Sequence, residues 1–465
     1  MKPSRPSWNA GAEPIELQLP IHGRDPIVDR LEQQFDEFLD LLAADQLLDG
    51  AGRTAIDCGV AAPAPLVSPP RDSRSEVEAA ALEVELSVVM PCLDEAETIG
   101  NCVLKAQYAI EKMGIAGEVI VADNGSRDDS TEIAEALGAR IVHVTERGYG
   151  AALMGGIAAA RGKFVIMGDA DDSYDFTCIP RFYERLCEGA DLVQGCRLPA
   201  GGGRIMPGAM PKLHRWGNPC LTWMVQKMFH APINDVYCGL RGFRKDFYQR
   251  LDQRCTGMEF APEMVIKSTL FGARISEIPI TLYKDGRTLH RPHLRTFKDG
   301  WRTLRFYLLQ SPRWTFLVPG AVLGMGGLLG ACLGMFNVRL AGAVFDVHTL
   351  LVSMLALLVA AQLVSCAVLA KTFAAGEGLL PRDQRLEKLA RVFTLERCLT
   401  LAAGLLISGS LVVLWKTANW ASSGFGMLDY SATMKQLIPA VGAIAMGVQV
   451  AASSFLLSVL RMARR

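Results

Sequence analysis

The chain has no net formal charge: 48 Lys and Arg balance 48 Asp and Glu over 465 residues. Its first 25 residues hold no apolar h-region, which argues against a cleavable signal peptide. None of the twelve cysteines falls in a CxxC pair, so no zinc or disulfide framework is indicated, and they read as reduced or buried thiols in a cytosol-facing protein. Gly and Pro, 44 and 23 residues, are too few for a collagen-like chain, and a 50% apolar composition excludes a disordered one.

Charge is missing altogether from four C-terminal stretches: Thr315 to Phe336, Val347 to Ala370, Cys398 to Trp415 and Gln436 to Leu460 contain no Asp, Glu, Lys or Arg. Each is close to the roughly 20 residues a helix needs to cross a bilayer, and none has the polar face of a buried core helix. Four spans are predicted over 315–465. The missing ionisable side chains argue against a substrate path through them, so the spans read as an anchor rather than a transporter, and GMGGLLGACLG suggests close helix packing.

The zero total hides segregation. Residues 1–283 carry 28 basic and 40 acidic side chains, residues 284–313 carry 8 and 2, and residues 315–465 carry 12 and 6. Lys371, Arg382, Arg385, Lys388, Arg391 and Arg397 crowd the loop between the second and third spans, and Arg461, Arg464 and Arg465 the tail. Because cytoplasmic loops retain Lys and Arg, both termini are expected in the cytoplasm of a multi-pass protein of the cell (inner) membrane. The basic segment combines its cations with Trp301, Phe306, Tyr307 and Leu308, as a helix lying on an anionic leaflet would. The adjoining spans favour anionic lipid over nucleic acid as its partner. Interfacial helices are therefore expected over 291–314.

Residues 1–85 read as an appendage, with one amphipathic helix at Asp29 to Leu48 and a Pro-rich linker at Ala61 to Arg74. From Leu86 short apolar runs alternate with helical ones. LSVVM, EVIVA, RIVHV, FVIMG and DLVQG predict strands, and the segments between them helices, so an α/β domain with a mainly parallel sheet is expected over 86–290. In such sheets chemistry gathers where the strands end.

Three strand ends carry candidates. After the first, Asp94 with Glu97 fits a capping-box helix start, leaving Glu95 toward the crevice. After the second, Asp123 opens an Asn-Gly turn and could accept hydrogen bonds from a base or ribose. After the fourth, Asp169, Asp171, Asp172 and Asp175 repel one another unless a cation compensates, and hard oxygen donors at this density suit Mg²⁺ or Mn²⁺.

In this order, VVMPCLDEAETI, VADNGSRDDST and GDADDSYDF resemble the motifs of family 2 glycosyltransferases of the GT-A fold, and DLVQGCR, NDVYCGLRGFRKD and GMEFAPEMVIKSTLFGARISEIPI extend the likeness over roughly 86–290. The most similar branch is the polyprenyl-phosphate sugar transferases, which include the dolichyl-phosphate mannose and glucose synthases. The resemblance implies that Pro91, Glu95, Asp123 and Asp169 contact the nucleotide, that Asp169 and Asp171 hold the metal, and that Glu259 and Glu263 lie near the donor sugar. Ser173 stands where some members have a Gln metal ligand.

An acceptor that is itself a phosphate needs no general base, so cations are expected instead. Arg forks suit phosphate, and the candidates are Arg197, Lys212, Arg215, Arg241 and Arg287, with Arg197 and Arg287 first. The expected reaction is inverting transfer of a hexose from a UDP- or GDP-sugar to a polyprenyl phosphate. Gln310-Ser-Pro-Arg-Trp314 also spells the QxxRW of processive polysaccharide synthases, but no span precedes the catalytic segment and no Thr-Glu-Asp motif lies upstream. A non-catalytic membrane scaffold is the reading from another class, and the oligomeric state is open, a homo-oligomer included.

Overall fold

The computed structural model describes residues 84–287, 296–340, 342–381 and 384–462. The helix expected at Asp29 to Leu48 and the linker after it lie outside them.

Five strands form where the apolar runs predict them: β1 (Leu86–Cys92), β2 (Gly117–Asp123), β3 (Arg140–His143), β4 (Phe164–Met167) and β5 (Leu192–Cys196). Strands β1 to β4 lie in the order β3-β2-β1-β4, all parallel. Strand β5 is not their direct neighbour, because β7 (Arg241–Arg244) inserts antiparallel between β4 and β5, with β8 (Ile275–Pro279) at the edge beyond. Arg-Gly-Phe-Arg carries no apolar run, so nothing in its pattern marks it as a central strand. A two-stranded accessory sheet pairs β6 (Arg204–Ile205) with β9 (Thr281–Leu282).

Side chains alternate across the strands, and both faces are apolar, as a sheet covered on both sides requires. Val88, Met90, Val121 and Ile166 face one core with α1 (Ile99–Met113), α2 (Ser130–Ala136) and α4 (Ile179–Cys187). Val89, Ile120, Val165 and Met167 face the other with α3 (Tyr149–Ala159), α6 (Lys245–Leu251) and α7 (Phe260–Leu270). A third cluster joins α5 (Lys212–Phe229), α7 and Tyr307 of α8 (Thr296–Gln310).

That third cluster changes the picture of the basic segment. Tyr307, expected at the lipid surface, is fully buried against the α/β domain, while Trp301 and Leu309 stay exposed. Pro312 and a π-turn (Arg313–Leu317) then lead into α9 (Val318–Met335). Ser311 accepts the N–H groups of Trp314 and Thr315 at 3.1 Å each, so the QxxRW-like residues form the joint between two helices.

Among the described residues four helical segments are long and apolar enough to cross a membrane: Arg313–Met335, Val347–Gly376, Leu395–Ser422 and Tyr430–Arg461. They coincide with the four uncharged stretches and overrun three of them by a turn or more. The last three are α10, α12 and α13, with the short α11 (Gln384–Val392) in the basic loop. Contacts run α9 to α10, α10 to α13 and α13 to α12. Glycines set the spacing: a Cβ at Gly327 would meet Leu357 at 3.0 Å, and one at Gly409 would meet the Ala440 carbonyl at 2.5 Å, so the backbones approach as small-residue packing allows.

Candidate active site

The parallel register brings the carboxyl ends of β1, β2 and β4 side by side, and the three motifs with them. The β1 turn is tied to the β2 turn. Glu95 N–H donates to Ser130 Oγ at 2.8 Å, Ala96 N–H to Asp128 at 2.9 Å, and Arg127 N–H to Asp94 Oδ1 at 2.7 Å. Asp94, in the left-handed region at φ 58°, thus braces a neighbouring loop instead of capping α1, whose N-cap is Thr98.

Asp123 ends β2 with its carboxylate accepting from Ser126 N–H at 2.9 Å and facing His143 Nδ1 at 3.1 Å. Burial alone would raise its pKa, but Ser126, His143 and Gly125 outweigh it and hold the group below the usual carboxylate range.

After β4 the four aspartates divide. Asp172, at φ 57°, binds Lys105 Nζ at 2.7 Å and Asn101 Nδ2 at 2.6 Å, anchoring the loop to α1. Asp175 caps a short 3₁₀ turn, accepting Thr177 N–H at 2.9 Å. Asp169 and Asp171 remain. Burial and the neighbouring Asp171 push Asp169 up to about 6, against Tyr149, Arg197 and Arg287. The Tyr149 hydroxyl donates to Asp169 Oδ1 at 2.8 Å, and Ser173 Oγ donates to Asp171 Oδ1 at 2.6 Å. Ser173 therefore orients Asp171. Two neighbouring carboxylates fit a divalent cation that takes its other ligands from substrate phosphate; among the described residues no cluster of three His, Cys, Asp or Glu could hold a metal by protein alone.

Arg287 joins this group from 192 positions away. The segment before it runs along the loop after β4, with Tyr283 N–H on the Ser173 carbonyl and Gly286 N–H on the Asp171 carbonyl, both at 3.0 Å. Its fork grips Glu95 through Nε at 2.7 Å and through its second nitrogen, and reaches Asp171 Oδ2 at 3.8 Å. Burial pushes Glu95 up and the fork opposes it.

The structure corrects several expected roles. The Arg197 fork is taken by Asp235, at 2.8 Å and 2.9 Å, in a pair buried at both ends. Arg241 is fully buried and donates to the carbonyls of Ala261 at 2.8 Å and Cys238 at 2.7 Å, with burial lowering its pKa. Neither offers a free fork to phosphate. Lys212 and Arg215 are exposed at the start of α5, and Arg215 lines a cleft of about 510 Å³ with Arg204, Thr222, Gln226 and Asn234. Glu263 is sealed inside, paired with Lys267 at 2.7 Å and accepting Cys255 N–H at 2.9 Å, while Glu259 turns to Arg302 at 2.7 Å. They hold two different segments. Pro91 lies at the end of β1, half-buried, opposite Ala122. Tyr149 and Asp235 lay outside the sequence reading; an Arg-Gly-Tyr-Gly turn and an Asn-Asp pair give no local sign of the strand ends they serve.

The glycosyl transferase family 2 model matches residues 87–252, and that of the glycosyltransferase family 2 C-terminal transmembrane region matches residues 368–461. The low-salt glycan biosynthesis hexosyltransferase Agl6 of Haloferax volcanii is 35% identical over 380 residues, 80% of this chain and 88% of that protein. The chain belongs to glycosyltransferase family 2. This family 2 glycosyltransferase has a GT-A-like catalytic domain and is an integral membrane protein. A dolichyl-phosphate hexose transferase of Haloferax volcanii is 28% identical over 197 residues, 42% of this chain and 82% of that one. Among solved structures, glucosyl-3-phosphoglycerate synthase from Mycobacterium tuberculosis with Mn²⁺, UDP and glucosyl-3-phosphoglycerate is 21% identical with TM-score 0.37, covering 52% of this chain and 84% of that one.

Proposed function

We propose that this glycosyltransferase moves a hexose from a UDP- or GDP-sugar to a polyprenyl phosphate at the cytoplasmic face of the membrane, with inversion at the anomeric carbon. The observation that carries the reading is the convergence of Glu95, Asp123, Asp169, Asp171 and Arg287 at the carboxyl ends of β1, β2 and β4 in a chain with four membrane-length helices among its described residues. A hexosyltransferase and a dolichyl-phosphate hexose transferase among its relatives support the acceptor class.

Asp123, kept ionised by its donors, suits the N–H or hydroxyl groups of a nucleoside. Asp169 and Asp171 would hold Mg²⁺ or Mn²⁺, which when bound stabilises charge on the departing diphosphate as a Lewis acid. Arg287, fixed by Glu95, adds a cation beside them. The acceptor phosphate is ionised at neutral pH, so its oxygen attacks C1 while the C1–O bond to the nucleoside diphosphate breaks and the electron pair departs with that group. No proton has to be removed, and the chain contributes placement and charge. Lys212 and Arg215 are the exposed cations for the acceptor phosphate, while Arg197 and Arg241 add positive potential from beneath.

The test incubates purified protein with radiolabelled UDP-glucose or GDP-mannose, Mg²⁺ or Mn²⁺, and polyprenyl phosphate. A lipid-extractable sugar is the expected product; a water-soluble polymer would replace the reading with processive synthesis. Asp171→Asn is expected to cut kcat by about two to three orders of magnitude, the scale on which charge stabilisation of a leaving group acts, without altering extraction or elution.

A further inference from the structure

The helix that leads into the membrane is tied to the segment beside the active site by a hydrogen bond between two buried phenols. On α8, Tyr307 is fully buried and its hydroxyl lies 2.5 Å from that of Tyr237. Thr303, one turn earlier and also buried, reaches the same Tyr237 hydroxyl. Around them pack Val225, Phe229, Val236 and Ile266.

Tyr237 sits in a segment that reaches the site through Asp235 and Gly239. Its own N–H donates to Asp235 at 3.2 Å, and Asp235 holds Arg197. Glu277 fixes the start of the segment, accepting Asn234 N–H at 2.7 Å and Asp235 N–H at 3.1 Å. At its end Gly239 donates to the Tyr174 hydroxyl at 2.9 Å, and a Cβ there would lie 2.5 Å from Asp169 Oδ2. Residues 234–239 are thus clamped by Glu277 at one end, by Tyr174 at the other, and by α8 between them. Five residues after Tyr307 the joint at Pro312 begins the first membrane helix.

We propose that the Tyr307–Tyr237 pair is a positioning link through which the membrane-anchored helix holds segment 234–239 against Asp169, so that the metal-binding carboxylate is set only when α8 is docked. Neither phenol touches substrate. The inference rests on the transferase reading for its kinetic consequence and on the geometry alone for its mechanical one.

The test uses the full chain in lipid nanodiscs, as wild type, Tyr307→Phe, Tyr237→Phe and the double variant. Hydrogen exchange without metal is expected to quicken at residues 234–241 and to stay unchanged in β1 and β4, which separates a local link from general destabilisation. The apparent affinity for Mn²⁺, read by thermal shift with UDP or GDP present, is expected to weaken about five-fold, as the loss of one buried hydrogen bond implies. With donor and acceptor, kcat should fall by a like factor while the donor KM holds, and the double variant should be no worse than Tyr237→Phe alone, which already removes the phenol pair together with the Thr303 contact. Unchanged exchange at 234–241 overturns the link, as does faster exchange with Mn²⁺ affinity and kcat unaltered. If the wild type transfers no sugar from any donor, the transferase reading falls, and exchange together with Mn²⁺ affinity decides the link.

Discussion

Asp169 shows how one carboxylate acquires its chemistry from neighbours. Burial and Asp171 raise its pKa to about 6, so below that pH a proton occupies the group and competes with a cation. Metal affinity read by thermal shift is expected to decline as pH falls from 7.5 through 6 to 5. Asp123 is shifted the opposite way and stays ionised across that range, so binding of nucleoside without metal should remain flat; a parallel decline would show that Asp169 is not the group responsible. A similar contrast separates the arginines. Asp235→Ala strands the buried Arg197 guanidinium and should cost about 3–5 kcal/mol, read as a lowered Tm or lost expression. Arg215→Ala removes an exposed cation at the α5 cleft and is expected to leave Tm unchanged while raising the acceptor KM several-fold. All these cations were visible in the sequence, but their accessibility was not, because a guanidinium that meets a carboxylate 38 positions away in a buried pair looks, along the chain, like any other.

Among the elements, β7 has the largest effect on the site. Its antiparallel insertion pairs Arg241 with Met167, two residues before Asp169, and so places the buried guanidinium beside the loop after β4. The approach to β7 brings Gly239 against that carboxylate. Gly239→Ala puts a methyl group 2.5 Å from Asp169 Oδ2, so the variant is expected to keep its fold, by circular dichroism and elution, while metal affinity and kcat both drop at least ten-fold; normal metal binding would show that the carboxylate gives way without consequence. Helix α8 teaches a second lesson. Its aromatic residues suited a lipid surface by composition, and the fold splits them, burying Tyr307 in the catalytic domain and leaving Trp301 exposed. The helical pattern identified the helix, and partner surfaces from α5 and α7, distant in sequence, chose the face.

At the scale of the whole molecule, the basic loop between the second and third spans and the opposite end of the bundle carry different chemistry. Opposite that loop, Lys435 Nζ pairs with Asp346 at 3.1 Å, with Ser431 and Asn337 alongside, tying the loop after the first span to the start of the last. With Lys and Arg retained in the cytoplasm, a cysteine placed at Lys388 is expected to label only from the cytoplasmic side and one at Ser423 only from the other; the reverse pattern would invert the topology and move the catalytic domain with it. The glycine contacts between α9 and α10 and between α12 and α13 let the helices of the bundle pack closely.

By itself the sequence determined what short-range rules control. Apolar runs became the parallel strands, uncharged stretches became the membrane helices, and the motif order placed Glu95, Asp123, Asp169 and Asp171 at adjacent strand ends, since strand period, helix length and parallel register are local or repetitive properties. Tertiary structure decided which charges face outward: Arg287 reaching Glu95 across 192 residues, Arg197 consumed by Asp235, Glu263 by Lys267, and Tyr307 turned from the lipid to Tyr237. A buried charge is stable only with its partner, and partners distant in sequence are chosen by packing, which no local pattern along the chain records.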